Sequence, residues 1–386
     1  MPAVNVKSSE ASLVAVSLVG TITTLQLLTE WDPVGRCITF WRQLRHHEKK
    51  LSCSGTVHEG AQGYLDLHAA KDVEIRTLNY KSLVNAYYDL ATVFYEWGWG
   101  PCFHFSSKFP FESFWEATRR HEYQLAAKLN VTREGHVLDV GCGIGGPMRN
   151  IARFLSCKIT GLTLNPYQVD RGNEIGARDP TVADKTQLVQ GDFMDLPFEP
   201  NTFQAAYAIE ATCHAPDRVQ CYKQVYDVLE PGGRFVLYEW CMTDKFDPNN
   251  EEHQVLKKKI EEGNGLPDII TCKECLKAFQ QAGFNIVEAY DYAESDGYEF
   301  RGLAKPWYTP LMPSWNPVSQ RFQFNWFGAM VTNSAIRMLE LLRIAPKGTK
   351  TTQKYLQDGG FALRDAGQAK IFTTAYFMVG EKPFAT

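Results

Sequence analysis

The sequence predicts an α/β fold, a parallel β-sheet wrapped by helices. Three observations carry the prediction. Short apolar runs of strand character alternate with helix-like segments through the middle of the 386-residue chain. Pro and Gly punctuate the joins, as the chemistry of chain breakers requires. A glycine-rich turn separates the first apolar run from the helix after it. Strands alternating with helices in this rhythm lie parallel, with helices packed on the sheet.

The elements follow in order. VLDV (Val137 to Val140) is a short buried strand, and Pro147 to Leu155 continues with Met148, Ile151, Ala152 and Leu155 at helical spacing. KITGLTL (Lys158 to Leu164), TQLVQGD (Thr186 to Asp192) and FQAAYAI (Phe203 to Ile209) are the next strands. LEPGGR (Leu229 to Arg234) reads as a turn closing a helix before the strand RFVLYEW (Arg234 to Trp240). NIVEAYDYA (Asn285 to Ala293) and IFTTAYFMVGEK (Ile371 to Lys382) complete the series. Between these last two lies a stretch with Trp307, Trp315, Phe322, Phe324, Trp326 and Phe327, then a helical AIRMLELLRI. It reads as an insertion folded over the sheet, since free linkers are poor in Trp. Four regions result: an apolar N-terminal segment (1–35), a helical aromatic-rich region (70–130), the α/β core (131–293) and a C-terminal region carrying the last core strand (294–386).

Composition narrows the function classes. Charged residues make up 22% of the chain, apolar ones 44%, and the net charge is −4. That balance carries no electrostatic footprint for nucleic acid. Aromatic residues reach 13%, enough to line an apolar ligand site as well as a core. Ten cysteines are scattered, and only Cys272 and Cys275 form a CxxC pair. A lone pair cannot complete a tetrahedral zinc site, so no metal is expected. The spacing fits a reduced, cytosol-facing chain.

Ala11 to Leu28 carries no charge, and Arg36, Arg42, Arg45, Lys49 and Lys50 follow. The segment sits at the lower edge of the length that spans a bilayer, and the basic residues after it would keep the rest in the cytosol. A buried or amphipathic helix is the competing reading. No basic region precedes the apolar stretch, which argues against a cleaved signal peptide.

The strongest chemical signal is VLDVGCGIGG, Val137 to Gly146. A strand ends near Asp139, and Gly141, Gly143, Gly145 and Gly146 let the backbone turn sharply and approach a ligand. The register differs from the dinucleotide GxGxxG. An acid at a strand end suits a cationic ligand, and the methionine part of S-adenosylmethionine carries an ammonium and a sulfonium. The pattern resembles the first motif of class I methyltransferases, whose Rossmann-like sheet it implies. TLNPYQ (Thr163 to Gln168) then falls where many such enzymes place an acid on the ribose; here Asn165 and Gln168 stand instead. QGDFMDLPF (Gln190 to Phe198) resembles the adenine turn, with Asp192 for the exocyclic amine and Phe193 beside the ring.

Upstream lies FYEWGWGPCFHFS, Phe94 to Ser106, dense in rings, with Glu96 and His104. This block resembles the YEYGWG region of sterol carbon-24 methyltransferases. RRHEYQLA (Arg119 to Ala126), YAIEATCHAPD (Tyr207 to Asp217), LEPGGRFVLYEW and EGNGLPDI (Glu262 to Ile269) match that family in order. The segment from about Arg321 to Pro383 is similar to its closing domain. The resemblance covers nearly everything after about residue 70. It implies electrophilic methylation of the side-chain alkene between carbons 24 and 25 of a sterol. S-adenosylmethionine is the donor, a tertiary carbocation forms, a hydride shifts and a base removes a proton.

The residue types suit this chemistry. A bare alkene is a weak nucleophile, so positioning must supply much of the rate. Water would quench the cation, so apolar walls must exclude it. Aromatic faces stabilise a cation by ~1–2 kcal/mol each when desolvated. Tyr95, Trp97 and Trp99 are the candidates, as alternate residues of an extended segment that share one face. Glu96 and Glu210 are candidates to offset positive charge or take the final proton. His214, four residues after Glu210, would share its face on a helix. His121 is a further base, or a partner for the sterol hydroxyl. The resemblance also places the chain at the endoplasmic reticulum membrane, catalytic domain toward the cytosol, and leaves homo-oligomer formation open. Two other readings compete: methylation of another lipid, and a non-catalytic lipid-binding relative.

Overall fold

The structure, a computed structural model, describes residues 64, 73–294, 304–316, 320–343, 345 and 348–384. The apolar run from Ala11 to Leu28 and the basic residues after it lie outside these residues. No helix among the described residues is long and apolar enough to cross a membrane.

Seven strands form one sheet: β1 (His136–Val140), β2 (Lys158–Thr163), β3 (Thr186–Gln190), β4 (Phe203–Ile209), β5 (Leu229–Met242), β6 (Asn285–Asp291) and β7 (Phe372–Glu381). Their order is β3-β2-β1-β4-β5-β7-β6. Strands β1 to β5 pair in parallel, whereas β7 runs antiparallel to both β5 and β6. The sheet is therefore mixed, and the expectation of an all-parallel sheet is corrected. The chain leaves β6 through the C-terminal insertion and re-enters from the opposite end between two strands already in place. β5 also starts earlier than the turn chemistry of LEPGGR predicts. Leu229 pairs with Phe203, and the register then shifts before Arg234 pairs with Ala205, so the Pro–Gly segment is an irregularity within the strand.

Helix α1 (Val73–Leu78) leads into α2 (Tyr80–Trp99), and α3 (Phe114–Ala126) precedes the sheet. Buried Leu83, Val84, Tyr87 and Ala91 recur at helical spacing along α2. Gly100 ends it at φ 78, its N–H donating to the Glu96 carbonyl at 3.1 Å, and Pro101 cannot continue the helix. The FYEWGW block is thus the last turns of a helix and not an extended strand. α3 starts in a capping box: Ser113 accepts from the Glu116 N–H, and Glu116 accepts from the Ser113 N–H.

Helices α4 (Gly146–Leu155), α5 (Pro166–Ala177), α6 (Arg218–Val228), α7 (Glu251–Asn264) and α8 (Cys272–Gln281) follow the strands. Leu138, Val140, Phe203, Phe235 and Leu237 form the core with one set of helices. Val137, Tyr207, Val236, Tyr238 and Phe377 form it with the other. The C-terminal insertion adds α9 (Trp326–Leu341) and α10 (Thr349–Gln368). It docks where two glycines meet, since a Cβ on Gly359 of α10 would lie 2.8 Å from the Gly263 Cα of α7. Trp307, Leu311, Phe324 and Leu363 bury a third core beneath it.

Candidate active site

The sheet changes direction of winding between β1 and β4, and ligands of open α/β sheets bind in the crevice at that switch point. A cavity of about 780 Å³, mouth included, opens there. Its wall includes Asp139, Gly141, Gly143, Asn165, Gln168 and Phe193, six of the eight residues expected to hold the donor. Gly141 and Gly143 take φ 81 and 55, a conformation that side chains with a Cβ resist. Gly145, at φ 72, is the N-cap of α4 and is not among the residues lining the cavity. Any Cβ on it would press on Met148 and Arg149.

Asp139 is buried, and one carboxylate oxygen accepts from the Tyr207 hydroxyl at 2.7 Å. Burial raises its pKa and the Tyr207 hydrogen bond lowers it, leaving it at about 7. A carboxylate so starved of solvation gains by pairing with a cation. The donor set therefore fits the ammonium of S-adenosylmethionine.

Asn165 caps α5, its Oδ1 accepting from the Gln168 N–H at 3.2 Å and its Nδ2 donating to Asp89 at 2.7 Å. Gln168 donates to Thr92 at 3.2 Å and accepts from Thr163 at 2.6 Å. The acid absent at the end of β2 is thus supplied to that neighbourhood by α2, a helix far upstream that the strand-end pattern did not implicate. Asp192 stands apart from the cavity lining. Its carboxylate accepts from Tyr80 and from the Met194 N–H (2.8 Å), and Lys81 approaches to 2.7 Å. In this arrangement it shapes the turn that presents Phe193.

A second cavity of about 780 Å³ adjoins the first, and Phe103 and His104 line both. Tyr95, Trp99, Phe105, Trp240 and Phe324 supply rings to it. Tyr95 and Trp99 meet with centroids 6.3 Å apart because four residues on a helix share a face. The alternation argument that grouped them with Trp97 is corrected, since α2 is helical here; the Trp97 side chain lies outside the described residues. Phe103 stands 5.5 Å from Tyr95, and Phe105 5.8 Å from Trp99.

Glu96 lines neither cavity. It pairs with Arg171 of α5 through two contacts, at 2.5 and 3.2 Å, which ties α2 to the core. His121 also lies outside both linings. It is buried, stacks on Tyr238 at 3.8 Å, and has no hydrogen-bond partner at either ring nitrogen among the described residues. Burial, then the nearby His104 charge, holds its pKa well below the ordinary range, so the ring stays neutral.

Glu210 and His214 both line the donor cavity, but no helix joins them. Glu210 leaves β4 at φ 53, and His214 ends a 3₁₀ turn, Thr212–His214. Glu210 accepts from the Phe105 N–H at 2.9 Å and from Trp240 Nε1–H at 2.8 Å. Burial raises its pKa against the lowering by His104 and these donors, to about 8. His214 bonds the Tyr88 hydroxyl at 2.9 Å and the Gly265 carbonyl at 3.1 Å, and burial lowers its pKa to about 4.

Residues outside the predicted set complete the junction. His104 bonds Glu122 at 3.0 Å and the Phe105 carbonyl at 3.1 Å; Asn150 donates to Glu122 at 2.8 Å. Burial pulls the His104 pKa down, but Glu122 overcomes it and the net shift is upward. Nitrogen and oxygen atoms of His104, His121 and Glu210 lie within 4.8 Å of one another, close enough for a metal ion. Both nitrogens of His104 face acceptors, however, which leaves that ring no free lone pair in this arrangement. The sequence signal for the cavity's other wall was the α10 spacing Gln353, Leu356, Gln357, Gly360 and Leu363, one helical stripe.

An acid-backed glycine turn at the switch point of this sheet, beside an apolar chamber, defines an S-adenosylmethionine-dependent methyltransferase, and residues 138–237 match a family described as Methyltransferase domain. Residues 319–384 match Sterol methyltransferase C-terminal. The chain belongs to the sterol 24-C-methyltransferase family. It is 45% identical to cycloartenol-C-24-methyltransferase of Arabidopsis thaliana over 85% of this chain and 95% of that protein. Sterol 24-C-methyltransferase ERG6 of Saccharomyces cerevisiae is 40% identical over 84% of this chain and 86% of its own. Among solved structures, the [4+2]-cyclase SpnF superposes with TM-score 0.55 at 20% identity, covering 79% of this chain and 96% of that one. That likeness speaks for the fold alone.

Proposed function

We propose that this enzyme transfers the methyl group of S-adenosylmethionine to carbon 24 of a sterol side-chain alkene, in sterol biosynthesis. One observation carries the reading: a cavity backed by Asp139 shares Phe103 and His104 with a ring-lined cavity of equal size. The sulfonium supplies an electrophilic methyl. Asp139 would hold the ammonium, and the Gly141–Gly143 turn would admit the methionine backbone. Asn165, Gln168 and Phe193 line the side where the nucleoside would sit.

The substrate cavity does the rest. Its walls orient the alkene and keep out water that would capture a tertiary cation. Tyr95, Trp99 and Phe103 present ring faces to developing positive charge. Glu210 lines the donor cavity, and burial raises its carboxyl pKa to about 8; its ionised form, favoured by a nearby cation, would balance that charge or take the final proton. Glu96, His121 and Asp192 support these groups from behind.

The membrane is the setting that fits such a substrate. Trp326, Met330, Met338 and Leu341 form an exposed apolar face on α9, with Trp315 beside Trp326 (centroids 6.3 Å apart). Exposed Arg337 and Arg343 flank it. A helix of 16 residues with such a face suits lying in a bilayer interface instead of crossing it. The same setting fits the apolar Ala11–Leu28 segment and an endoplasmic reticulum location facing the cytosol.

Incubation of the purified chain with methyl-labelled S-adenosylmethionine and a panel of lipids tests the reading. Label is expected in sterols with a free 24(25)-alkene. Label in a different lipid, or donor binding with no transfer at all, would refute it.

A further inference from the structure

We propose that Gln323 and Gln353 form a hydroxyl-binding subsite in the substrate cavity, which takes the ring hydroxyl of the sterol and fixes which end meets the donor. The inference rests on the sterol reading above and adds the residues that would orient the molecule.

Three glutamines, Gln323, Gln353 and Gln357, line a cavity otherwise built largely of rings and aliphatic side chains. Gln353 and Gln357 are each only 7% exposed. A buried amide costs free energy unless its donors and acceptors are used. Gln357 has a protein partner at each end: its Oε1 accepts from Asn333 at 3.2 Å and its Nε2 donates to the Gln323 carbonyl at 2.8 Å. Gln353 Nε2 donates to Gln323 Oε1 at 3.2 Å. That leaves Gln353 Oε1 and Gln323 Nε2 without a protein partner among the described residues. One is an acceptor and the other a donor. Exchanging the nitrogen and oxygen of both amides swaps these roles but still leaves one of each.

A hydroxyl donates one hydrogen bond and accepts others, so it alone among simple sterol oxygen functions satisfies both groups at once. A ketone can only accept. The remaining polar side chains of the cavity are already engaged. His104 has both nitrogens bonded, and Asn264 Nδ2 donates to the Ile260 carbonyl at 2.8 Å. Among the cavity's polar side chains, His104 stands at the donor junction and the Gln323–Gln353 pair on the C-terminal wall. A hydroxyl held at the C-terminal wall directs the apolar side chain toward Phe103 and the donor.

The test uses the full chain and three sterols that share a 24(25)-alkene side chain and differ at the ring oxygen: hydroxyl, ketone and none. Binding is read by equilibrium dialysis with S-adenosylhomocysteine present, and turnover in parallel. Wild type is expected to bind the hydroxyl form about tenfold or more tightly than the form lacking oxygen, from one or two buried hydrogen bonds. Gln353→Met and Gln323→Met raise KM for the hydroxyl sterol to that of the oxygen-free one, with kcat held within about twofold. A merely structural role would instead lower the melting temperature and leave the preference intact.

Folded variants that keep the preference overturn the proposal. So does equal binding of all three sterols by wild type, an outcome that needs no variant and leaves sterol methylation standing. Failure of wild type to bind or methylate any sterol would overturn both readings together.

Discussion

Replacement of Asp139 by Asn should stabilise the empty enzyme and weaken its hold on the donor, two effects of opposite sign from one atom. In the fold Asp139 ionises at about 7 instead of 3.8, chiefly because burial penalises the charge. The unfolded chain ionises first as pH rises, so the penalty grows between about pH 4 and 7 and is complete above 7. At 1.36 kcal/mol per unit it reaches about 4 kcal/mol at pH 8 and about 2 kcal/mol at pH 5.5, as upper bounds. The neutral amide of Asp139→Asn would escape it while its oxygen still accepts from Tyr207, which in the wild type donates to the carboxylate at 2.7 Å.

Binding runs the other way. The ammonium of the donor needs the ionised form, so wild-type affinity should fall about thirtyfold from pH 8 to pH 5.5 as Asp139 protonates. The substitution removes a charge-assisted hydrogen bond worth about 1.5–3 kcal/mol, roughly a tenfold to hundredfold loss, and flattens the pH profile. Calorimetric melts at both pH values and titration with S-adenosylhomocysteine read both effects. A variant less stable than wild type at pH 8, or one that binds as tightly with the same pH profile, would refute the assignment of Asp139.

Three further outcomes are expected. His121→Phe should keep donor affinity and turnover and melt no lower than wild type, because it exchanges two unpartnered buried nitrogens for carbon; lost turnover with a normal melt would return His121 to the chemistry. Glu96→Gln should cost about 1 kcal/mol of stability, from the half-buried Arg171 pair, and leave kcat unchanged, and a tenfold fall in kcat would contradict its placement. Gly359→Ala should cost about 1–3 kcal/mol and raise KM for sterol more than for donor, since a Cβ there presses on Gly263 and displaces the wall that α10 gives to the substrate cavity. Equal KM values for both substrates relative to wild type would show that α10 yields without moving that wall.

Much of the fold was legible along the chain. The seven strands fall where period and composition place them, because apolar runs bounded by turn residues are local signals. The glycine turn after Asp139 was equally local: its left-handed conformation is one that Gly141 and Gly143 permit and residues with a Cβ resist. The direction of β7 was not, since nothing within Ile371–Lys382 states which neighbours it will find. The region 70–130 reads as helical, but the run of adjacent aromatics in FYEWGW hides that the helix of Leu83, Val84, Tyr87 and Ala91 continues through it to Gly100–Pro101.

The site divides in the same way. Motif position and the family resemblance together nominated Asp139, Phe193, Tyr95, Trp99, Glu210 and His214, each of which carries the chemistry its role needs. Packing decided which acids face a cavity and which face a cation: Glu210 lines the donor cavity, whereas Glu96 is spent on Arg171. It also brought Asp89, Glu122 and the glutamines of the C-terminal wall to the site from distant segments. Motifs record what a side chain is, whereas burial and partners decide what it can do. Those depend on contacts between residues far apart in the chain, which only the folded structure contains.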